Sequence, residues 1–184
     1  MLFFYFFTVF LLLLSIIFIA IFIFIFIDVY YSLKLKLPML ETNASALEKF
    51  LFNIDFTNRK VFYDLGSGKG TVISMVARKN PTLQCIGIEY NSGAYFLAKM
   101  RNIFLKNKVQ YFREDFFNIN LKNADIVYIY LYPFLVDQLE NKFFKELKKG
   151  TIVVANSFPF KNKLPKKVIS GQEKKLNTIY IYEY

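Results

Sequence analysis

Residues 61–70, Val-Phe-Tyr-Asp-Leu-Gly-Ser-Gly-Lys-Gly, constrain this chain more than any other stretch. Residues 61–63 are apolar without polar alternation, which predicts a strand buried on both faces of a sheet. Asp64 follows, and Gly66, Gly68 and Gly70 then supply a turn in which the backbone can take positive φ and approach a bound molecule. Thr71–Lys79 comes next, with Val72, Ile73, Val76 and Ala77 apolar, and reads as a helix. Strand, glycine turn and helix together build the ligand crevice of an open α/β sheet, at the carboxyl ends of its strands.

Three ligands use turns of this kind. A phosphate-binding loop requires G-x-x-x-x-G-K-[ST]; Gly68-Lys69-Gly70-Thr71 looks like its end, but the first glycine would fall on Tyr63. Asp64 would also set a negative charge inside the phosphate cradle. A dinucleotide site uses G-x-G-x-x-G, whereas here the spacing is G-x-G-x-G with an acid two residues ahead. That form, [DE]-x-G-x-G-x-G, resembles the first motif of the class I methyltransferases that use S-adenosylmethionine (SAM). An ordinary tight βα turn would need only one of the glycines.

Residues 2–27 carry no charged side chain and are almost all Phe, Ile or Leu. At about 1.5 Å per residue, a helix of this length exceeds a hydrocarbon core of roughly 30 Å. A lone strand could not satisfy its backbone in lipid, so a helix is expected. A cleaved signal peptide would need a basic start, a shorter apolar core and a small-residue cleavage site, and none is present. An uncleaved anchor follows. Tyr30 and Tyr31 suit the interfacial belt, and Lys34 and Lys36 follow the span while no base precedes it, which puts the domain on the cytoplasmic side. The expected division is an anchor at 1–30, a linker at 31–42 that is extended around Pro38, and a domain at 43–184.

All charged residues lie from Asp28 onward, so the net charge of +10 belongs to the part outside the span and suits an anionic membrane surface. The 24 Lys and Arg are scattered rather than gathered with aromatics into a nucleic-acid motif. The chain has no His, which excludes His-based acid–base catalysis and His metal ligands. Cys85 is the single cysteine, which excludes a disulfide framework or zinc cluster, and its apolar flanks mark it as a small buried hydrophobe. No metal is expected.

Residues 43–52 read as a helix over the crevice, with Ser45 and Glu48 at capping-box spacing and Leu47, Phe50 and Leu51 as its apolar stripe. Thr42, just ahead, either reaches a bound carboxylate or is a plain helix-entry residue. Gln84–Ile88 is the second strand; Glu89 at its end, about 20 residues past the glycines, is placed for ribose hydroxyls. Residues 93–106 form a helix whose Phe96, Leu97, Met100, Ile103 and Phe104 are assigned to the core. After a third strand, Val109–Phe112, Asp115 suits the exocyclic amine of an adenine and Phe116 its ring, though an aromatic at a strand end is also a common core residue. Residues 124–130 make the fourth strand. Leu135, Leu139, Phe143 and Leu147 space a helix with Gly150 as its stop, and residues 151–155 make the fifth strand. Residues 167–170 and 176–184 close the sheet as a pair, Ile179 and Ile181 alternating with tyrosines.

With these segments placed, the chain resembles the class I SAM-dependent methyltransferases. Within them it looks most like the membrane-anchored family that includes the ATP synthase c-subunit lysine methyltransferases. The steps that carry the likeness are the apolar anchor, residues 38–42, 64–71, 89–91, 112–117, 139–147 and the Phe158-Pro159-Phe160 segment. The resemblance implies an α/β fold: a Rossmann-like seven-stranded class I methyltransferase sheet with one antiparallel strand, preceded by one transmembrane helix. It implies SAM as cofactor, with Gly66, Ser67 and Gly68 against its methionine end, Asp64 facing its amine, and Thr42, Glu89, Asp115 and Phe116 completing the site. It further implies methyl transfer to a protein lysine amine on a membrane-associated partner at the lipid bilayer. Tyr130-Leu131-Tyr132-Pro133 lacks the amide or acid of the N/D-P-P-Y motif, which argues against nucleic-acid and glutamine acceptors. Tyr130, Tyr132 and Phe158 are either the aromatic wall of an acceptor channel or core residues. Two other readings stay open: N-methylation of a phospholipid headgroup, and a tethered SAM-binding protein without activity.

Overall fold

The computed structural model describes residues 1–35, 42, 44–104, 109–170 and 178–184. The expectations around Pro38, the end of the 93–106 helix and the start of the 176–184 strand lie outside the described residues. The chain divides into two compact units, Met1–Met39 and Leu40–Tyr184.

The first unit contains one helix, α1 (Leu2–Leu35). Within it Phe4–Ile27 has a mean hydropathy of 3.4 and is long and apolar enough to cross a membrane. The helix runs on past Ile27 to Leu35, so the first part of the linker expected at 31–42 is helical rather than extended. Nothing between 28 and 35 breaks a helix; Pro38 is the first residue that does.

In the second unit, α2 (Ala44–Asn53) precedes β1 (Val61–Leu65), α3 (Thr71–Lys79), β2 (Gln84–Ile88), α4 (Ser92–Phe104), β3 (Val109–Phe112), β4 (Ile126–Ile129), α5 (Pro133–Glu146), β5 (Ile152–Asn156), β6 (Lys167–Ile169) and β7 (Ile179–Glu183). The strands form one seven-stranded sheet in the order β3-β2-β1-β4-β5-β7-β6. The first five are parallel, with Phe62 opposite Cys85 and Ile126, and Val154 opposite Ile181 of antiparallel β7. This is the Rossmann-like sheet with one antiparallel strand that the sequence predicts.

Strand pleating sends alternate side chains to two apolar layers. On one face Leu47 and Phe50 of α2 and Val72, Ile73 and Val76 of α3 pack on Phe62, Cys85, Tyr128 and Val154. On the other, Leu139 and Phe143 of α5 pack on Leu65, Val127, Val153 and Tyr182. Cys85 is fully buried, as its flanks predict.

Three local expectations fail. The α4 side chains assigned to the core point outward: Phe96, Leu97, Ile103 and Phe104 are exposed, and the buried residues are Gly93, Ala94 and Ala98. Small residues let the helix lie close to the sheet, and helical spacing alone does not say which face does so. Helix α2 begins at Ala44, so Ser45 lies inside its first turn rather than ahead of it. Helix α5 ends at Glu146, and Gly150 sits beyond it in the turn into β5, its carbonyl accepting from Arg59 Nη1 at 2.9 Å.

Candidate active site

The glycine turn lies at the carboxyl end of β1. Gly66 and Gly68 both take positive φ, 75° and 54°, which side-chain-bearing residues rarely adopt. A Cβ on Gly66 would meet Leu131 Cδ2 at 2.6 Å, while one on Gly68 would meet nothing within 4 Å. The first glycine is therefore required by packing, and the second borders open space. The N–H groups of Gly66 and Ser67 both donate to Ile88 O, at 2.9 and 3.0 Å, which ties the turn to β2.

Asp64 lies within β1, one residue deeper than a strand ending at Tyr63 would put it, and is fully buried. Burial pushes its carboxyl up to about 8, the charge of Glu89 adds to the shift, and the N–H of Ile73 in the first turn of α3 opposes it. Asp64 Oδ2 and Ser67 Oγ are both buried without a hydrogen-bond partner. Two orphaned oxygens beside a glycine turn are a cradle for a cationic or hydrogen-bond-donating group, since such atoms are costly to leave unpaired.

Glu89 closes the turn from the β2 side. Its Oε2 accepts from Gly68 N at 2.8 Å and its Oε1 from Asn91 N at 2.7 Å. Burial raises its pKa, while these N–H donors and that of Tyr90 lower it. Each oxygen keeps a lone pair, so the bracing bonds still leave acceptor capacity for hydroxyls. Asp115 Oδ1 accepts from Phe117 N at 2.9 Å and caps the short helical turn Phe116–Asn118. Phe116 is half-buried against the α5-side core, with Phe117 at 4.7 Å between ring centroids.

Thr42 engages a polar chain across the strand ends that the sequence did not reveal. Its hydroxyl shares a 3.0 Å hydrogen bond with that of Tyr128 on β4, and Tyr128 accepts from Asn156 Nδ2 at 3.0 Å. Ser157 Oγ donates to Asn156 Oδ1 at 2.9 Å, and Ser157 itself has a φ of 68°. The one signal for this network is the polar Asn156-Ser157 pair that ends an apolar strand.

Two of the three candidate channel residues pack on opposite faces of the sheet. Tyr130 packs on the α2 face of the sheet, the face that also carries Asp64 and Tyr128. Phe158 packs on the α5 face, and Tyr132 stacks with Phe134 at 6.5 Å. Strand β5 ends at Asn156, and Ser157, with its φ of 68°, turns the chain so that Phe158 no longer follows the strand's alternation.

The profile of the ANTKMT methyltransferase domain matches residues 64–167. A protein-lysine N-methyltransferase of Saccharolobus islandicus is 27% identical over 79% of this chain and 92% of its own length. An ATP synthase c-subunit lysine N-methyltransferase of Xenopus laevis is 23% identical over 82% of the chain, which spans 65% of that relative. Among solved structures, an RNA methyltransferase from Salinibacter ruber in complex with S-adenosyl-L-homocysteine is 25% identical, with a TM-score of 0.71, covering 78% of this chain and 93% of that one.

Proposed function

The chain belongs to the family of ANTKMT methyltransferase domains and is a SAM-dependent methyltransferase, and from that premise we propose that it methylates a lysine amine of a membrane-associated protein. Residues 1–30 serve as anchor, 31–42 as linker and 43–184 as catalytic domain, with the domain on the cytoplasmic side. Bound SAM supplies an electrophilic methyl group on a sulfonium. Gly66, Ser67 and Gly68 hold its methionine end, Asp64 its ammonium, Glu89 its ribose, and Asp115 with Phe116 its adenine. Thr42, whose hydroxyl shares a hydrogen bond with that of Tyr128, reaches the cofactor's carboxylate.

The chain's remaining task is to align the acceptor and to keep its amine unprotonated. A lysine amine has an ordinary pKa of roughly 10.4, and apolar, aromatic surroundings lower it by desolvation. Tyr130 stands on the same sheet face as Asp64 and is the foremost candidate for that surrounding; Tyr132 and Phe158 flank the strand ends. The observation that carries a lysine over a nucleobase is the end of β4, where half-buried Tyr130 and Tyr132 stand in place of an amide or acid. The names of the two lysine-methylating relatives support it.

The test is transfer of labelled methyl from SAM into a membrane extract, resolved into protein, lipid and RNA. Label in protein, recovered as methyl-lysine after hydrolysis, is expected. Label in lipid would make the enzyme a headgroup N-methyltransferase, and label in RNA would give it the acceptor class named for the Salinibacter ruber protein. SAM binding without transfer to any fraction would leave a tethered binding protein.

A further inference from the structure

Helix α4 is built inside out. At about 100° per residue, Phe96, Leu97, Met100, Ile103 and Phe104 fall within one arc of about 120°. That arc faces away from the sheet, which the helix meets through Ala94 and Ala98. Phe96 is 53% exposed, Leu97 38%, Ile103 67% and Phe104 75%, while Met100 is half-buried, so most of the arc is open to solvent. Lys99 lies on one border of the arc and Arg101 on the other. Lys99 Nζ leans over Tyr95, 5.8 Å from its centroid, and Arg101 donates to Thr71 Oγ1 at 2.8 Å, so both bases are held at the rim.

We propose that this outward face of α4 is a lipid-docking surface. Its five apolar side chains enter the acyl boundary while Lys99 and Arg101 meet anionic headgroups. An apolar arc bordered by bases is the pattern of a helix lying in the membrane interface. A second copy pairing through the same face about a two-fold axis would bring basic borders together. The chain's own apolar span, Phe4–Ile27, and its net charge of +10 complement the same anionic surface. This inference rests on the reading of α1 as an anchor and adds a second, separate contact between domain and bilayer.

The test uses the full chain in vesicles of phosphatidylcholine with and without phosphatidylserine. An environment-sensitive fluorophore is placed by Ile103→Cys and, as a control, by Lys122→Cys at an exposed site; native Cys85 is buried and does not compete. The label at 103 is expected to shift to the blue and lose most of its emission to nitroxide-bearing lipid in anionic vesicles. The label at 122 should do neither, and Lys99→Glu with Arg101→Glu should abolish the response at 103. A chain that floats with vesicles while the label at 103 stays open to aqueous iodide overturns the docking surface and leaves the anchor standing. A label shielded from iodide but not quenched by lipid means that protein covers the face, a second copy included, and overturns it too. A chain that does not float at all overturns the anchor reading, and the docking surface with it.

Discussion

Asp64 keeps a carboxyl neutral near physiological pH, and this has a measurable sign. Its folded pKa lies near 8 against an ordinary 3.8, so between those values the folded protein holds a proton that the unfolded chain has released. Stability from this group is fully present below the ordinary value and is lost as pH climbs through about 8. Chemical denaturation across that window should show declining stability for the wild type and a flatter profile for Asp64→Asn. A cation seated beside Asp64 favours its ionised form, so SAM binding near pH 7 should release a proton. Calorimetry in buffers of different ionisation enthalpy should detect that release in the wild type and not in Asp64→Asn; equal proton counts would remove Asp64 from the ammonium site. The acid and the glycines were legible in the sequence because their chemistry depends on local spacing. Tyr128, Asn156 and Ser157 were not, because the register between β4 and β5 alone brings them together.

Among the elements, the strands and their order were legible from short apolar runs, whereas helix orientation was not. Helix α4 shows why: its periodicity marks an apolar face, and only the small residues opposite reveal which side meets the sheet. Helix α5 holds a feature that spacing could not expose. Buried Glu140 accepts from Asn162 N at 2.9 Å and from Asn162 Nδ2 at 3.0 Å. The exposed Lys161–Asp137 pair ties the same segment at 2.6 Å but is open to solvent and contributes little. Tyr182 of β7 adds a third tie, its hydroxyl accepting from Phe160 N at 2.9 Å. Glu140→Leu leaves the Asn162 donors unpaired and should cost about 1–3 kcal/mol of stability. Glu140→Gln, which keeps an acceptor oxygen, should cost less. Urea midpoints compare the two, and equal losses would show that helix packing matters rather than the clamp.

For the whole molecule, the proposed anchoring would give the enzyme effective concentration on membrane-bound acceptors without any new contact. Deleting residues 1–27 should leave SAM affinity nearly unchanged and greatly reduce methylation of the natural target in membranes. A truncated enzyme that modifies its target at the full-length rate would show that the anchor does not select substrate. The apolar run of α1 was plain in the sequence; its continuation as helix from Asp28 to Leu35 was not, because a helix need not end where hydrophobicity does. The strand order carries one more implication, for biosynthesis. β6 leaves the ribosome before β7 yet joins the sheet only through it, so β6 must wait unpaired. Meanwhile β5 stands as an open edge with Val153, Val154 and Ala155 bare, the kind of edge that recruits foreign strands. The chain is therefore most prone to aggregate between the emergence of β5 from the ribosome and the docking of β7, and a chaperone that binds extended apolar segments would act on it there.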